Sequence, residues 1–131
     1  RDIPALRAQV DTVIVSLHWG VENRPEPQPG QVELGRRIID LGADVVAGHH
    51  AHVHQRADRY RGGVIMYSMG NFVFDQHSSP QLMEAGLYRV VVAKDGVRRA
   101  AVLPVRYQDR QWVPTPTRDT MLEIGSWSRL R

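Results

Sequence analysis

The sequence predicts an α/β (α+β) domain in which a βαβ unit is followed by antiparallel hairpins. Two apolar runs with a helical pattern between them predict the βαβ unit, and later pairs of apolar runs around glycine-containing turns predict the hairpins. The chain has 131 residues, of which 42% are apolar and 24% charged, and this suits one globular domain. The chain starts at Arg1 without a Met, so we expect residues 1–131 to be a single partial domain of a longer protein.

The first strand and the first helix are predicted between residues 11 and 42. Residues 11–18 are rich in β-branched side chains and predict a strand that is covered on both faces. The proline-rich residues 22–30 exclude a regular helix or a central strand. Residues 31–41 are predicted to be helical, because Leu34, Ile38 and Leu41 recur at i, i+4 and i+7 and Gly42 follows at a C-cap position.

The second strand and the first hairpin follow directly. Residues 43–47 form a short apolar run, and a helix between two such strands makes a right-handed crossover with parallel strands the default. Residues 53–60 and 64–69 flank the turn sequence at 61–63, so they are predicted to pair as an antiparallel hairpin.

The last third of the chain is predicted to be antiparallel over residues 87–115. Residues 87–93 and 97–107 flank a Lys-Asp-Gly turn and predict a second hairpin. A further short strand is expected near Trp112, followed by a weakly helical tail over residues 119–131.

Composition excludes several classes of function. The formal net charge is +3, and sixteen of the seventeen cationic side chains are Arg, scattered along the chain, while aromatic residues are only 7%. Nucleic-acid-binding proteins concentrate basic residues on one face among aromatic ones, so no nucleic-acid partner is expected. Cysteine is absent, which excludes disulfides, thiolate metal sites and a cysteine nucleophile. No apolar run approaches the ~20 residues of a membrane-spanning helix.

The histidines are concentrated at two places in the predicted fold. His18 ends the first strand, and His49, His50, His52 and His54 follow the second. The carboxyl ends of parallel strands meet at one edge of a sheet, where ligands bind in open α/β folds. In an extended backbone His50 and His52 would share a face, whereas His49 would point the other way. Because neutral imidazole is the commonest metal ligand, this edge is predicted to hold a metal or phosphate site.

Three polar residues could accompany the histidines. The first hairpin is expected to place Asn71 opposite position 52 or 54, where its amide oxygen could ligate or orient a group. Glu22 lies four residues after His18, but it can equally be a solvated acid, and Asp75 can equally cap a turn. A strand-end histidine taken alone is more often a hydrogen-bonded structural residue, and a histidine-rich hexamer can be an exposed loop.

Three motifs together resemble the CapA family of bacterial capsule (poly-γ-glutamate) biosynthesis proteins. They lie within a motif-bearing region over residues 10–75, and in order they are VIVSLHWGVE (13–22), LGADVVAGHHAHV (41–53) and YSMGNFVFD (67–75). That family is similar in fold to the calcineurin-like metallophosphatases, a two-sheet sandwich flanked by helices. The resemblance implies that this chain is the C-terminal half of such a domain, because the Gly-Asp and Asn-His motifs of the first half are missing.

The resemblance also implies a metal-dependent site. It implies divalent metal ions of the Mn, Zn or Fe type as cofactors, with His18, His50 and His52 as ligands. His18, Glu22 and Asn71 are the candidate catalytic residues, and the roles of the last two are not assigned. The activity implied for the intact protein is metal-assisted hydrolysis, or a related transfer, at a phosphoester or polymer linkage. The isolated chain is expected to be inactive.

A non-catalytic function is the alternative. The cleft that contains the predicted metal site could instead hold or tether capsule polymer. Arg56, Arg59 and Arg61 are expected beside this cleft and would suit a polyanion. The expected partners are therefore an anionic capsule polymer or a phosphoester substrate, together with the missing N-terminal half of the domain or a second copy that forms a homodimer. The resemblance implies association with the cell envelope or a location outside the cytoplasm.

Overall fold

The computed structural model describes residues 2–107 and 113–125, which form two sheets and a small number of helices. The helices are α1 (Asp2–Arg7), α2 (Pro29–Asp40) and a 3₁₀ helix (Pro80–Met83). The strands are β1 (Ile14–His18), β2 (Val45–His49), β3 (Ala57–Tyr60), β4 (Gly63–Met66), β5 (Glu84–Ala93), β6 (Gly96–Arg106), β7 (Thr115–Pro116) and β8 (Leu122–Glu123). The first sheet has the order β1-β2-β4-β3, and in the second sheet β5, β7 and β8 all pair with β6. This mixed architecture confirms the predicted α+β class.

The predicted βαβ unit is formed by β1, α2 and β2. The two strands are parallel, with His18 opposite His49, and β4 also runs parallel to β2. Pro29 occupies the first turn of α2, where a missing N–H costs nothing. Gly42 follows the helix with φ 109°, a left-handed conformation that glycine adopts without a steric penalty. The prediction of the helix is confirmed, with its start shifted by two residues.

The leucines of the predicted helical pattern do not lie on the buried face of α2. Ile38 is buried, but Leu34 and Leu41 are 46% and 39% exposed. The helix instead approaches the sheet through Gly35, where an added Cβ would lie 3.0 Å from Cγ2 of Ile65. The i, i+4, i+7 pattern therefore predicted a helix here but not the face that it buries.

Alternate residues of the central strands β2 and β4 face two different layers. Val46 and Ile65 pack against α2, whereas Val45 and Val64 pack against the second sheet. These four side chains are at most 3% exposed. The result is a helix layer, a four-stranded sheet and a second sheet stacked in that order.

Strand β1 lies at an open edge of the first sheet. Among the described strands it pairs with β2 alone, and Ile14 is 63% exposed, while Val15 is partly buried beside α2. The prediction that both faces of this strand are covered is wrong, because the core between the two sheets is built from other strands. β1 therefore presents an unpaired backbone edge and an uncovered apolar side chain.

Both predicted hairpins are confirmed. In the first, β3 and β4 are antiparallel with Tyr60 opposite Gly63, and an isolated bridge continues the same register to His54 and Met69. In the second, β5 and β6 pair along their lengths from the turn outward.

Within the described part of the tail, Leu122–Glu123 is a short strand where a weak helix was predicted. Leu122–Glu123 pairs with β6, and the backbone N–H of Ile124 donates to the carbonyl oxygen of Ala100 at 2.8 Å. Ile124 is buried between the sheets, so a long-range apolar contact decides the conformation. The strand expected near Trp112, and residues 126–131 of the tail, lie outside the described residues.

None of the described helices is long and apolar enough to cross a membrane.

Two buried phenols make stability sensitive to alkaline pH. Burial raises the pKa of Tyr67 and of Tyr88 above the usual value of ~10, and the hydroxyl of Tyr67 also donates to the Asp58 carboxylate at 3.0 Å. Above pH ~10 the unfolded chain loses these protons and the folded chain keeps them, so stability that is present below pH ~10 is lost as the pH rises.

We expect the free energy of unfolding to fall above pH ~10 by up to ~1.4 kcal/mol per pH unit for each phenol. Urea unfolding at a series of pH values measures this slope. The variant Tyr88→Phe should show a shallower decline than the unsubstituted chain. Equal slopes would contradict a raised pKa for Tyr88.

Candidate functional site

The carboxyl ends of β1 and β2 bring histidines from distant parts of the chain together. The ring centroid of His18 lies 4.2 Å from that of His50 and 5.2 Å from that of His49. The parallel register of the βαβ unit causes this, because it aligns the last residues of both strands. The predicted convergence of His18 with the histidine cluster is therefore observed.

The backbone that carries His50 and His52 is a turn, and the prediction of an extended segment is wrong. Their φ angles are 98° and 61°, in the left-handed region that side chains other than glycine rarely adopt. Ala51 is fully buried between them, and its carbonyl oxygen accepts a hydrogen bond from the N–H of Asn23 at 2.8 Å. These contacts hold the strained turn. The ring centroids of His50 and His52 lie 6.3 Å apart.

His49 lies on the same face as His18, and the prediction that it points away is wrong. Its Nδ1 is 3.2 Å from Nδ1 of His18, and its Nε2 is 3.1 Å from Oγ of Ser16. His49 is still part of β2, and paired residues of adjacent parallel strands share a face; the turn begins only after it. Sequence reasoning missed Ser16 and did not predict the contact of His49 with His18, although the register of β1 with β2 would have revealed both.

Asn71 lies beside His52, as the hairpin register predicted. Its Oδ1 is 3.0 Å from Nδ1 of His52, and its Nδ2 donates to the backbone oxygen of Leu82 at 3.0 Å and to Oε1 of Gln76 at 3.1 Å. Because both amide hydrogens are used, the oxygen of Asn71 faces the imidazole and accepts its Nδ1–H. The lone pair of His52 is therefore on Nε2.

Glu22 is exposed on the loop after β1, near enough to influence His18. Partial desolvation lowers the pKa of His18, and the imidazoles of His50, His49 and His52 lower it further, in that order. The negative charge of Glu22 acts in the opposite direction. Neutral His18, the form that can bind a metal, is thus favoured near neutral pH.

His54 belongs to a different environment from the other clustered histidines. Its Nε2 is 2.7 Å from the hydroxyl of Tyr88, on which its ring stacks. Burial lowers the pKa of His54 to about 4, so the ring is neutral near pH 7. We call the edge of the first sheet that carries His18, His49, His50 and His52 the histidine edge. Phe74 packs on His52 there, with 5.1 Å between the ring centroids, and forms an exposed apolar border.

The arginines that were expected beside the cleft do not gather there. Arg59 and Arg61 lie at the other end of β3, next to the amino end of β4, and the guanidinium of Arg59 donates to the backbone oxygen of Val97 at 2.7 Å. Arg56 precedes β3 and pairs with Asp58 at 3.2 Å. The expectation is wrong for Arg59 and Arg61 because β3 runs antiparallel to β4 and carries them away from the histidine edge.

The separations between the imidazole rings can be compared with those of a metal site. Two imidazoles that bind one ion at ~2.0–2.1 Å have ring centroids roughly 4.5–6.5 Å apart. The separation of 6.3 Å between His50 and His52 lies within this interval, whereas the 4.2 Å between His18 and His50 is slightly shorter. Within residues 2–107 and 113–125, however, no group of three or more His, Cys, Asp or Glu is arranged to hold an ion. His18, His50 and His52 therefore form no metal site by themselves, and such a site would need further ligands.

Comparison with known proteins identifies the family. Residues 1–76 match the family described as bacterial capsule synthesis protein PGA_cap. The chain is 38% identical to the capsule biosynthesis protein CapA of Bacillus anthracis over 103 residues, which cover 79% of this chain and 25% of that protein. It is 36% identical to the PGA biosynthesis protein CapA of Bacillus subtilis (strain 168) over 121 residues, which cover 92% and 31%.

The chain belongs to this family of bacterial capsule synthesis proteins, which confirms the resemblance to CapA. The matched segments span about a quarter to a third of these two relatives.

Proposed function

We propose that this chain supplies part of a divalent-metal site to a capsule synthesis protein that acts on a phosphoester or on an anionic polymer such as poly-γ-glutamate. One observation carries the proposal: at the carboxyl edge of the first sheet, the ring of His50 lies 4.2 Å from that of His18 and 6.3 Å from that of His52. A bound divalent metal would lower the pKa of water towards ~7 and so supply hydroxide for hydrolysis near neutral pH. The names of the relatives support the class of pathway, capsule and PGA biosynthesis.

The residues around the three imidazoles have separable roles in this proposal. Asn71 is a positioning residue, because its oxygen accepts the Nδ1–H of His52 and leaves Nε2 free to bind an ion. Glu22 is exposed and electrostatically linked to His18, so it is the candidate for moving a proton at the edge of the site.

The proposal requires a partner segment. A two-metal site needs carboxylate or amide oxygens beside the imidazoles to hold ions ~3.5–4 Å apart. We assign these to the N-terminal half of the same domain, which would pair with the open edge of β1 and cover Ile14. A second copy of the chain could occupy the same edge, and sedimentation that depends on concentration would indicate such a homodimer.

Replacing His52 with alanine should remove most of the bound metal from the full-length protein, because one proposed imidazole ligand is lost. Elemental analysis of the purified protein measures the metal content. The matched control is His77→Gln, which removes an imidazole that packs against Tyr107 outside the histidine edge. Unchanged metal content in His52→Ala would contradict the assignment.

A polymer-binding function without catalysis is the second candidate, and a groove beside α2 favours it. The groove has a volume of about 680 Å³, and its charged lining residues are Arg36, Arg37 and Arg56 together with Glu33 and Asp40; none of the histidines lines it. Poly-γ-glutamate binding that salt weakens and a chelator leaves unchanged would favour this function. Binding that is lost on chelation would favour the metal site.

A further inference from the structure

We infer that His49 positions His18 through a hydrogen-bonded chain that runs from His18 through His49 to Ser16. The consequence for metal binding rests on the proposed function, whereas the hydrogen bonds themselves do not. His49 is not a candidate ligand in this arrangement, because both of its ring nitrogens have protein partners.

The three side chains lie on two paired strands, which makes their geometry well defined. Ser16 and His18 are alternate residues of β1 and share a face, and His49 is the register partner of His18 on β2. The backbone N–H of Trp19 donates to the carbonyl oxygen of His49 at 3.1 Å and extends this pairing beyond the strand ends. Of the clustered histidines, His18 and His49 are thus held by strands, whereas His50 and His52 are held by a turn.

The protons in this chain have two possible arrangements. In one, the Ser16 hydroxyl donates to Nε2 of His49, whose Nδ1–H donates to Nδ1 of His18, and the remaining proton of His18 is on Nε2. In the other, Nδ1–H of His18 donates to Nδ1 of His49, and Nε2–H of His49 donates to Oγ of Ser16. Both arrangements contain three protons, so exchange between them leaves the net charge unchanged.

A cation can bind His18 at Nε2 only in the second arrangement, because Nε2 then carries a lone pair. His49 would therefore act as the acceptor that fixes both the tautomer and the orientation of His18. Groups that orient a metal-binding imidazole in this way typically contribute 10–100-fold to metal affinity.

The hydrogen bond itself can be tested without a metal. In the chain with ¹⁵N-labelled histidine, at a pH where the rings are neutral, we expect a ¹⁵N–¹⁵N coupling across the bond between Nδ1 of His18 and Nδ1 of His49. On addition of Zn²⁺, the ¹⁵N shifts of His18 should show a protonated Nδ1. Absence of the coupling would overturn the inference.

Zn²⁺ affinity supplies the second readout. Titration should show that His49→Ala binds Zn²⁺ about 10–100-fold more weakly than the unsubstituted chain. His49→Asn should stay within about threefold, because its amide oxygen can replace Nδ1 as the acceptor for His18. Equal affinity for His49→Ala and the unsubstituted chain would overturn the positioning role. If the unsubstituted chain does not bind Zn²⁺ without its partner segment, the same comparison is made in the full-length protein. Absence of Zn²⁺ binding there would contradict the proposed metal site, and the coupling would still decide whether His49 holds His18.

Discussion

Replacing Gly48 with alanine is expected to lower the free energy of unfolding by about 3 kcal/mol or more, since overpacking in a rigid interior is costly. A Cβ at Gly48 would lie 2.1 Å from the backbone oxygen of Tyr67, 2.6 Å from that of Met66 and 2.4 Å from Nε1 of Trp19. Backbone atoms cannot move aside as a flexible side chain can. The clash can be relieved only by separating β2 from the backbone at Met66 and Tyr67 and by displacing the indole.

Gly30 provides a matched control for this substitution. It lies in α2, and an added Cβ there would have no atom within 4 Å. Gly30→Ala should therefore stabilise the chain by roughly 0.5–1 kcal/mol, because alanine loses less backbone entropy in a helix than glycine does. Urea unfolding followed by circular dichroism measures both variants, and similar changes in the two would contradict the steric argument.

The close approach at Gly48 also determines where the histidine edge lies. The indole Nε1–H of Trp19 donates to the backbone oxygen of Tyr67 at 2.8 Å, and the N–H of Met69 donates to the backbone oxygen of Gly48 at 3.1 Å. Trp19 directly follows His18, and Gly48 directly precedes His49. A substitution that forces these strands apart should therefore disturb the histidine edge as well as the stability of the chain.

Local sequence patterns predicted most of the secondary structure but not the surroundings of each element. The βαβ unit and both hairpins follow from apolar periodicity and turn residues, which act over a few positions. The exposure of Ile14 and of Leu34 depends on which layers reach β1 and α2, and this is a property of the whole fold. The strand at Leu122–Glu123 likewise depends on burial of Ile124 far from its neighbours in sequence.

In the candidate site, the sequence predicted which residues meet but not how each side chain is oriented. Topology predicted that His18 would meet the cluster, and hairpin register predicted that Asn71 would meet His52. The orientation of His49 was predicted wrongly because the sequence does not show where β2 ends and the turn begins. β2 ends where His50 adopts a positive φ. Because residues other than glycine rarely adopt a positive φ, the sequence gives no indication of it at His50.

Replacing Asn71 with alanine should impair both stability and metal binding. The side chain is 6% exposed, and its loss leaves Nδ1–H of His52 without its acceptor. The backbone oxygen of Leu82 keeps a hydrogen bond from the hydroxyl of Tyr107 at 2.9 Å, so the loss in free energy of unfolding should be about 1–3 kcal/mol. Zn²⁺ affinity should fall by about 10–100-fold, because His52 is no longer held with Nε2 free.

Two further variants separate the stability effect from the positioning effect. Gln76→Ala removes one partner of the Asn71 amide but keeps its bonds to His52 and Leu82, so Zn²⁺ affinity should stay close to that of the unsubstituted chain. Asn71→Asp keeps an oxygen for His52 but places a second oxygen against that of Leu82, so it should lose stability while retaining more Zn²⁺ affinity than the alanine variant. Urea unfolding and Zn²⁺ titration of the folded variants measure the two effects. If Asn71→Ala binds Zn²⁺ as tightly as the unsubstituted chain while still folded, Asn71 does not position His52, and its contribution is to stability alone.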